Sequence, residues 1–404
     1  MGIKKQSMIP LYRKQFNAEF NETKYQAYLN YINGLYPNSV DFRIAETPLF
    51  LTAAFKTQLL EVGEYVCAQI LAGDFIAKTE KSLQNTKSTP NEKGLPECMV
   101  MDFAIANNNQ NEMAPALIEL QGFPSLFAFE VLQDEAIRNC YTIPENVTPY
   151  LNGYTKEKYL RHLSTIIKGE LGEHTILLEL LPNQQKTRVD FYCTQHYLNI
   201  PIVCITEIFK KGNSLYYQRE GIDIKIDRIY NRIVTDELKN QPEEIKEKAA
   251  ILYADLNVSW VTHPNHFFRI SKYLLPYLHH HCIPKTQFVD QIKSIPTDLE
   301  KYILKPLFSF AGQGVIIDVQ SSDFDTILDP ANWIMQEKVN YAPCVETPDG
   351  FAKAEIRLFY FWDKPTQKYI ATLNLSRLSK GKMIGVNYNQ TATWVGGSLA
   401  YFEK

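Results

Sequence analysis

The stretch YILKPLFSFAGQGV, Tyr302 to Val315, joins a strand-like run ending near Lys305 to a loop that holds Gly312 and Gly314. Glycine lets backbone N–H groups approach phosphate oxygens, and a lysine at a strand end adds a point positive charge. The combination suits a lid over phosphate; the plainer alternative is a surface hairpin turned by its glycines. The loop lacks the lysine and hydroxyl of a P-loop, and it fails the GxGxxG spacing of a dinucleotide-binding turn. Further on, WIMQEKV reads as a strand whose following segment can present backbone groups to an adenine edge. Arg357 in EIRLFYF and Arg377 in LSRLS lie on successive strands, where guanidinium groups suit phosphate or carboxylate. Taken singly, each is better read as a surface salt-bridge partner.

Upstream, IELQG sets Glu119 and Gln121 two residues apart on a strand, so both side chains share a face. Asp102 in VMDFA, on the neighbouring strand, stands where it can join them. Two carboxylates and an amide oxygen are hard donors that suit Mg²⁺ carrying nucleotide phosphates. An isolated acid on a strand is usually just solvated, so the combination carries the weight. A different cluster, HHHC at His279 to Cys282, looks metal-like. Consecutive residues on a helix point in different directions, which counts against zinc there.

These residues need elements to hold them. The hairpin CMVMDFAIA and PALIELQG carries the acids, and residues 49 to 80 before it have helical spacing. The polar KTEKSLQNTKSTPNEKG reads as a linker. From about 155 to 235, a helix, TILLELL, helical KTRVDFYCTQHYLN and IPIVCITEI read as a βαβ unit with a parallel sheet. IDIKIDRIYNRI adds a strand, and NHFFRISKYLLPYLHHHC reads as helical. From residue 300 onward YILKP, GVIIDV, WIMQEKV, AEIRLFYFW, KYIATLNLS and KMIGVNYN predict a mostly antiparallel sheet. The expected architecture is α+β with one α/β lobe.

Composition sets outer bounds. The 404 residues are 45% hydrophobic and 22% charged, ordinary values for a globular chain of two or three domains. A net charge of −3 argues against non-specific nucleic-acid binding. No long apolar run or secretory leader is visible, so neither a membrane span nor export is expected. MGIKKQS fits the bare myristoylation pattern without a second anchoring signal. The seven cysteines never form a CxxC pair, which points to reduced thiols and a cytoplasmic protein.

The segments DRIYNRI, NHFFRISKYLLPYL, LKPLFSFAGQGV, IMQEKV, IRLFYF, LSRLSKGKMIGVN and TATWV follow one another in the order found in circularly permuted ATP-grasp proteins. With MDFA and IELQGFPSL upstream, residues 98 to 397 resemble the glutathionylspermidine synthetase-like and eukaryotic glutathione synthetase-like ligases of that group. Residues 1–97 ahead of it read as an N-terminal helical region and linker, and the resemblance implies a metal-binding hairpin and helix over 98–150. It further implies an α/β substrate lobe over 151–260, and a lid with a nucleotide-binding sheet over 261–404. Lys305 looks like the phosphate lysine, and Lys272 in ISKYLL like a second ATP lysine. Ser309, Gly312 and Gly314 fall in the lid, and Gln336, Glu337 and Lys338 in the segment that wraps adenine and ribose. Asp102, Glu119 and Gln121 would hold Mg²⁺. Arg377, with Arg357, would lie near the transferred phosphate or the acceptor carboxylate, and Asn387 beside it.

Two departures stand out. Gln121 replaces the usual asparagine, and Val100 stands where synthetase-like members carry an arginine. The activity implied is an ATP- and Mg²⁺-dependent ligase joining a small-molecule or peptide carboxylate to an amine through an acyl phosphate. A degenerate nucleotide-binding or regulatory protein and an ATP-grasp phosphotransferase remain the alternatives.

Overall fold

A computed structural model describes residues 7–404 except 85, 109, 170–171, 235–236, 239, 310–311, 382–383 and 385–391. The strands that position the candidate site are β1 (Cys98–Asn107), β2 (Met113–Gln121), β3 (Tyr302–Pro306), β4 (Trp333–Glu337), β5 (Gly350–Asp363) and β6 (Lys368–Ser379). Four of them belong to a six-stranded antiparallel sheet that runs Gly396–Ser398, β6, β5, β1, β2, with Val345–Thr347 paired to β5. Segments more than two hundred residues apart thus become neighbours at the β5–β1 pairing.

Strand alternation gives this sheet two unlike faces. Met99, Met101 and Phe103 of β1, with Ile356, Leu358 and Tyr360 of β5, share one core with the helix Ala53–Leu71. That helix presents Phe55, Leu59, Val62, Val66 and Ile70, a stripe at helical spacing, and Thr52 caps its start by accepting from Phe55 N–H. The opposite face is apolar at one end, where Val100, Phe359, Phe361 and Leu375 pack against the α/β lobe. Continuing along that face, the alternation puts Asp102, Glu355, Arg357 and Arg377 on one surface. The polar cluster is therefore a product of period two plus register.

The α/β lobe contains a four-stranded parallel sheet in the order Ser259–Val261, Arg228–Asn231, Thr175–Glu179, Ile202–Cys204. The helix Arg188–Leu198 makes the crossover between the last two strands, which is the expected βαβ unit. IDIKIDRIYNRI splits into two strands: Ile222–Ile226 enters a separate antiparallel sheet, while Arg228–Asn231 joins the parallel one. β3 and β4 pair antiparallel, with Thr286–Phe288 on the other side of β4.

Several expectations need correction. GVIIDV makes only a bridge, Leu304 to Ile316, though that bridge closes the expected glycine hairpin on β3. NHFFRISKYLLPYLHHHC is not one helix. A short helix, His266–Arg269, and a 3-10 segment, Lys272–Tyr277 with Pro276 inside it, are followed by a turn over residues 280–283. The strand expected over 382–389 falls on residues of which only Ile384 is described. All seven cysteines are free. Among the described residues no helix is long and apolar enough to cross a membrane.

Candidate functional site

Register builds the site from the sheet upward. Arg357 lies opposite Asp102, and Asp102 opposite Glu119, so one row crosses β5, β1 and β2. Glu355 lies opposite Arg377 in the adjacent row. A bulge between Asp102 and Phe103 re-aims this part of the hairpin. The residue that follows β2, Gly122, has no room for a side chain, because a Cβ there would meet His266 O at 2.5 Å. Gly122 N–H donates to Ile270 O at 2.6 Å, drawing the 266–272 segment onto β2.

That approach delivers Lys272. Its ammonium donates to Glu119 Oε1 at 2.9 Å and to the Ser309 carbonyl at 2.8 Å, tying the acid strand to the hairpin after β3. Lys305 donates to Gln336 Oε1 at 2.7 Å, a diagonal cross-strand pair, and to Ile118 O at 3.3 Å. Gln336 is fully buried and donates in turn to Thr286 Oγ1 at 3.1 Å. Two lysines, one carboxylate and the base of a glycine hairpin meet at one place. Gly312 and Gly314 both have positive φ, 74° and 75°, so these glycines are needed by the turn itself.

Asp102, expected to hold metal, is engaged by arginine in this structure. Its two oxygens accept from Arg357 Nε and Nη2, each at 2.6 Å, and Oδ2 also accepts from Arg377 Nη2 at 2.9 Å. The residue is 1% exposed. In this arrangement Asp102 anchors both arginines, and a cation reaching it would have to displace a bidentate guanidinium. Arg357 and Arg377 are both ion-paired, as the plainer reading of each had it, though partly buried rather than at the surface. Arg377 also reaches Glu355 Oε2 at 2.9 Å, whose other oxygen accepts from the Tyr341 hydroxyl. Arg357 Nη1 donates to Ser125 Oγ at 3.2 Å. Both arginines nevertheless line a cleft of about 1310 Å³, together with Gln121, Ser125 and Gln313.

Glu355, Tyr341 and Ser125 were missed. The signal for Glu355 was present in EIRLF, where it precedes Arg357 by two and must share its face. Nothing local marks Tyr341 or Ser125. Glu337 stands at the end of β4, accepts from Lys285 N–H at 3.2 Å and is partly exposed. Lys338 N–H donates to Lys301 O at 2.7 Å. These place the linking segment beside the Lys305 strand without joining either side chain to the lysine cluster. Asn387 lies outside the described residues. Val100 is fully buried in apolar core, opposite Phe359 and Gln121, so no cation can occupy its place without unpacking that core.

Charge states follow from these contacts. Burial alone would raise Asp102, but Arg357 and then Arg377 outweigh it and hold the carboxyl below its usual range. Burial would likewise raise Glu119, and Lys272 reverses the sign. Glu355 goes the other way, since burial outweighs the pull of Arg377 and its pKa is raised. Burial brings Lys305 down to about 8, only partly countered by Glu119. The cleft also reaches into the α/β lobe at Glu179, a buried acid pushed up to about 8 by desolvation.

No protein-family model matches this chain, and no curated protein matches it. Among solved structures, it is similar to a glutathione synthetase-like effector from Globodera pallida, solved in its apo form. The two share 10% identity at a TM-score of 0.57, covering 96% of this chain and 99% of that one. The likeness lies in the fold. It spans nearly the whole of both chains.

Proposed function

We propose that the protein binds Mg-ATP between β2, β3 and the glycine hairpin, in a circularly permuted ATP-grasp architecture, and is a carboxylate–amine ligase. The observation that carries this reading is the convergence of Lys272, Lys305, Glu119 and the hairpin base beside a cleft lined by two arginines. The donor set fits the ligands. Lys305 and Lys272 are held by neutral or single-acid partners that phosphate oxygens can replace, and Glu119 with Gln121 offers hard oxygens on one strand face. Bound ATP supplies the phosphoryl group that makes a carboxylate reactive toward an amine.

The chain's own residues do the rest. Lys305 and Lys272 orient phosphate and offset its charge, and the arginine pair draws a substrate carboxylate to the cleft end nearest Gln121. Tyr341 and Glu355 fix Arg377, and Asp102 fixes both arginines, so their geometry is set before substrate arrives. No nucleophilic side chain is required. The test is nucleotide turnover: ADP release should need both a carboxylate and an amine acceptor. Glu119→Gln should weaken ATP binding when Mg²⁺ is present and have little effect in EDTA. Equal Mg-ATP affinity for wild type and Glu119→Gln would remove Glu119 from the metal site.

A second reading is a non-catalytic nucleotide-binding protein. It is favoured by the arginine–acid network, which leaves Arg357 and Arg377 occupied by Asp102 and Glu355, and by the apolar burial of Val100. Tight Mg-ATP binding with no ADP release for any acid and amine pair would select it.

A further inference from the structure

On the segment that leads away from Lys272, the chain makes a turn over residues 280–283 rather than continuing as helix. The turn is tethered on two sides. Leu117 N–H of β2 donates to Cys282 O at 2.9 Å, and His279 N–H donates to the Tyr65 hydroxyl at 2.9 Å. Ile283 N–H closes it onto His280 O at 2.9 Å. The Tyr65 ring lies against His280 with centroids 5.3 Å apart, and the His280 and His281 rings are 4.2 Å apart. Breaking the helix removes the objection that consecutive side chains diverge. His280, His281 and Cys282 each bring one ligand atom within 4.8 Å of the others.

We propose that His280, His281 and Cys282 form a transition-metal site for a borderline-soft divalent cation of the zinc class, distinct from the nucleotide-linked Mg²⁺ site. One thiolate and two imidazoles select zinc-class ions over Mg²⁺, which takes oxygen. A tetrahedral ion at about 2.0–2.3 Å from nitrogen and sulfur asks the three atoms to draw in slightly from their present spacing. His281 is exposed, whereas Cys282 is buried at the core edge, so His281 is the ligand with room to adjust.

His280 Nδ1 already accepts from Cys282 N–H at 3.1 Å, which fixes the ring and leaves Nε2 as the nitrogen to meet a metal. The Cys282 thiol gives up its proton to solvent as the metal–sulfur bond forms, and no oxidant or reductant is involved. Glu61 is the natural fourth group. It stands one helical turn before Tyr65 on Ala53–Leu71, hence on the face that meets this turn.

The experiment uses the full chain, freed of metal with EDTA and then of EDTA, titrated with Co²⁺ as an optical probe. Wild type should take up one ion and show both a thiolate-to-cobalt charge-transfer band and the intense visible bands of tetrahedral cobalt. Zn²⁺ should bleach them, and millimolar Mg²⁺ with ATP should leave them unchanged. Cys282→Ser should lose the charge-transfer band, and His281→Ala, at an exposed position that leaves the fold intact, should weaken Co²⁺ binding by about tenfold or more. Absence of tetrahedral bands in wild type overturns the proposal. So do the same bands, at the same affinity, in folded His281→Ala or Cys282→Ser.

Discussion

Nucleotide affinity should fall as pH rises through the value at which Lys305 loses its proton. Burial holds that ammonium at about 8 in the free protein, against an ordinary lysine value of 10.5. Phosphate oxygens within reach favour the charged form, so the bound state restores a high pKa and binding takes up a proton. With a free-state pKa of about 8, roughly nine-tenths of the molecules carry the charge at pH 7 and roughly one-tenth at pH 9. If the protonated form is the one that binds, Mg-ATP affinity drops about tenfold across that interval, or about 1.4 kcal/mol. At pH 8 about half a proton is taken up per ATP bound. The assay is calorimetric titration with Mg-ATP at pH 7, 8 and 9, each in two buffers of different ionisation enthalpy. Lys305→Met serves as control and should bind weakly with no pH slope. The unliganded protein carries the matching signature with the opposite consequence. Between about 8 and the usual lysine value the unfolded chain holds more protons than the native one, so Lys305 makes the fold more stable as pH rises there. An affinity that is flat or rising from pH 7 to 9, with no proton uptake, refutes the claim that Lys305 meets phosphate.

Asp102→Asn leaves two guanidinium groups with one buried partner fewer and should cost about 3 kcal/mol of stability, read as a lower urea midpoint at unchanged slope. A loss under about 1 kcal/mol would mean the arginines are solvated rather than anchored. Glu179 is pushed up to about 8, so the native state holds its proton across a window in which the unfolded chain has released it. Its contribution to stability is present below the usual carboxylate value and lost as pH climbs to about 8, so Glu179→Gln should flatten the melting temperature over that range. Gly314→Ala puts a side chain at a φ of 75° with its Cβ 3.0 Å from Pro306, so it should destabilise the hairpin by about 1 kcal/mol and weaken Mg-ATP binding. Hydrogen exchange of residues 312–316 with and without nucleotide reads both effects.

The sequence by itself determined the local pieces of this protein. Alternation along CMVMDFAIA and PALIELQG set the hairpin, and it fixed Glu119 and Gln121 on one face because a strand has period two. The glycines and lysine of LKPLFSFAGQG set a hairpin with a cation at its root, because only glycine takes positive φ without strain. The βαβ unit was legible from the spacing of its apolar runs. Tertiary structure decided who meets whom. Asp102 carries the same local signal as Glu119, yet β5 lies beside β1 and puts Arg357 against it, so one acid is an anchor while the other faces Lys272. That choice depends on the register between strands over two hundred residues apart, which no local pattern encodes. The same holds at His280 to Cys282: the apolar run predicted a helix that would splay these ligands. The tethers from Leu117 and Tyr65, together with Pro276, break it into a turn that gathers them.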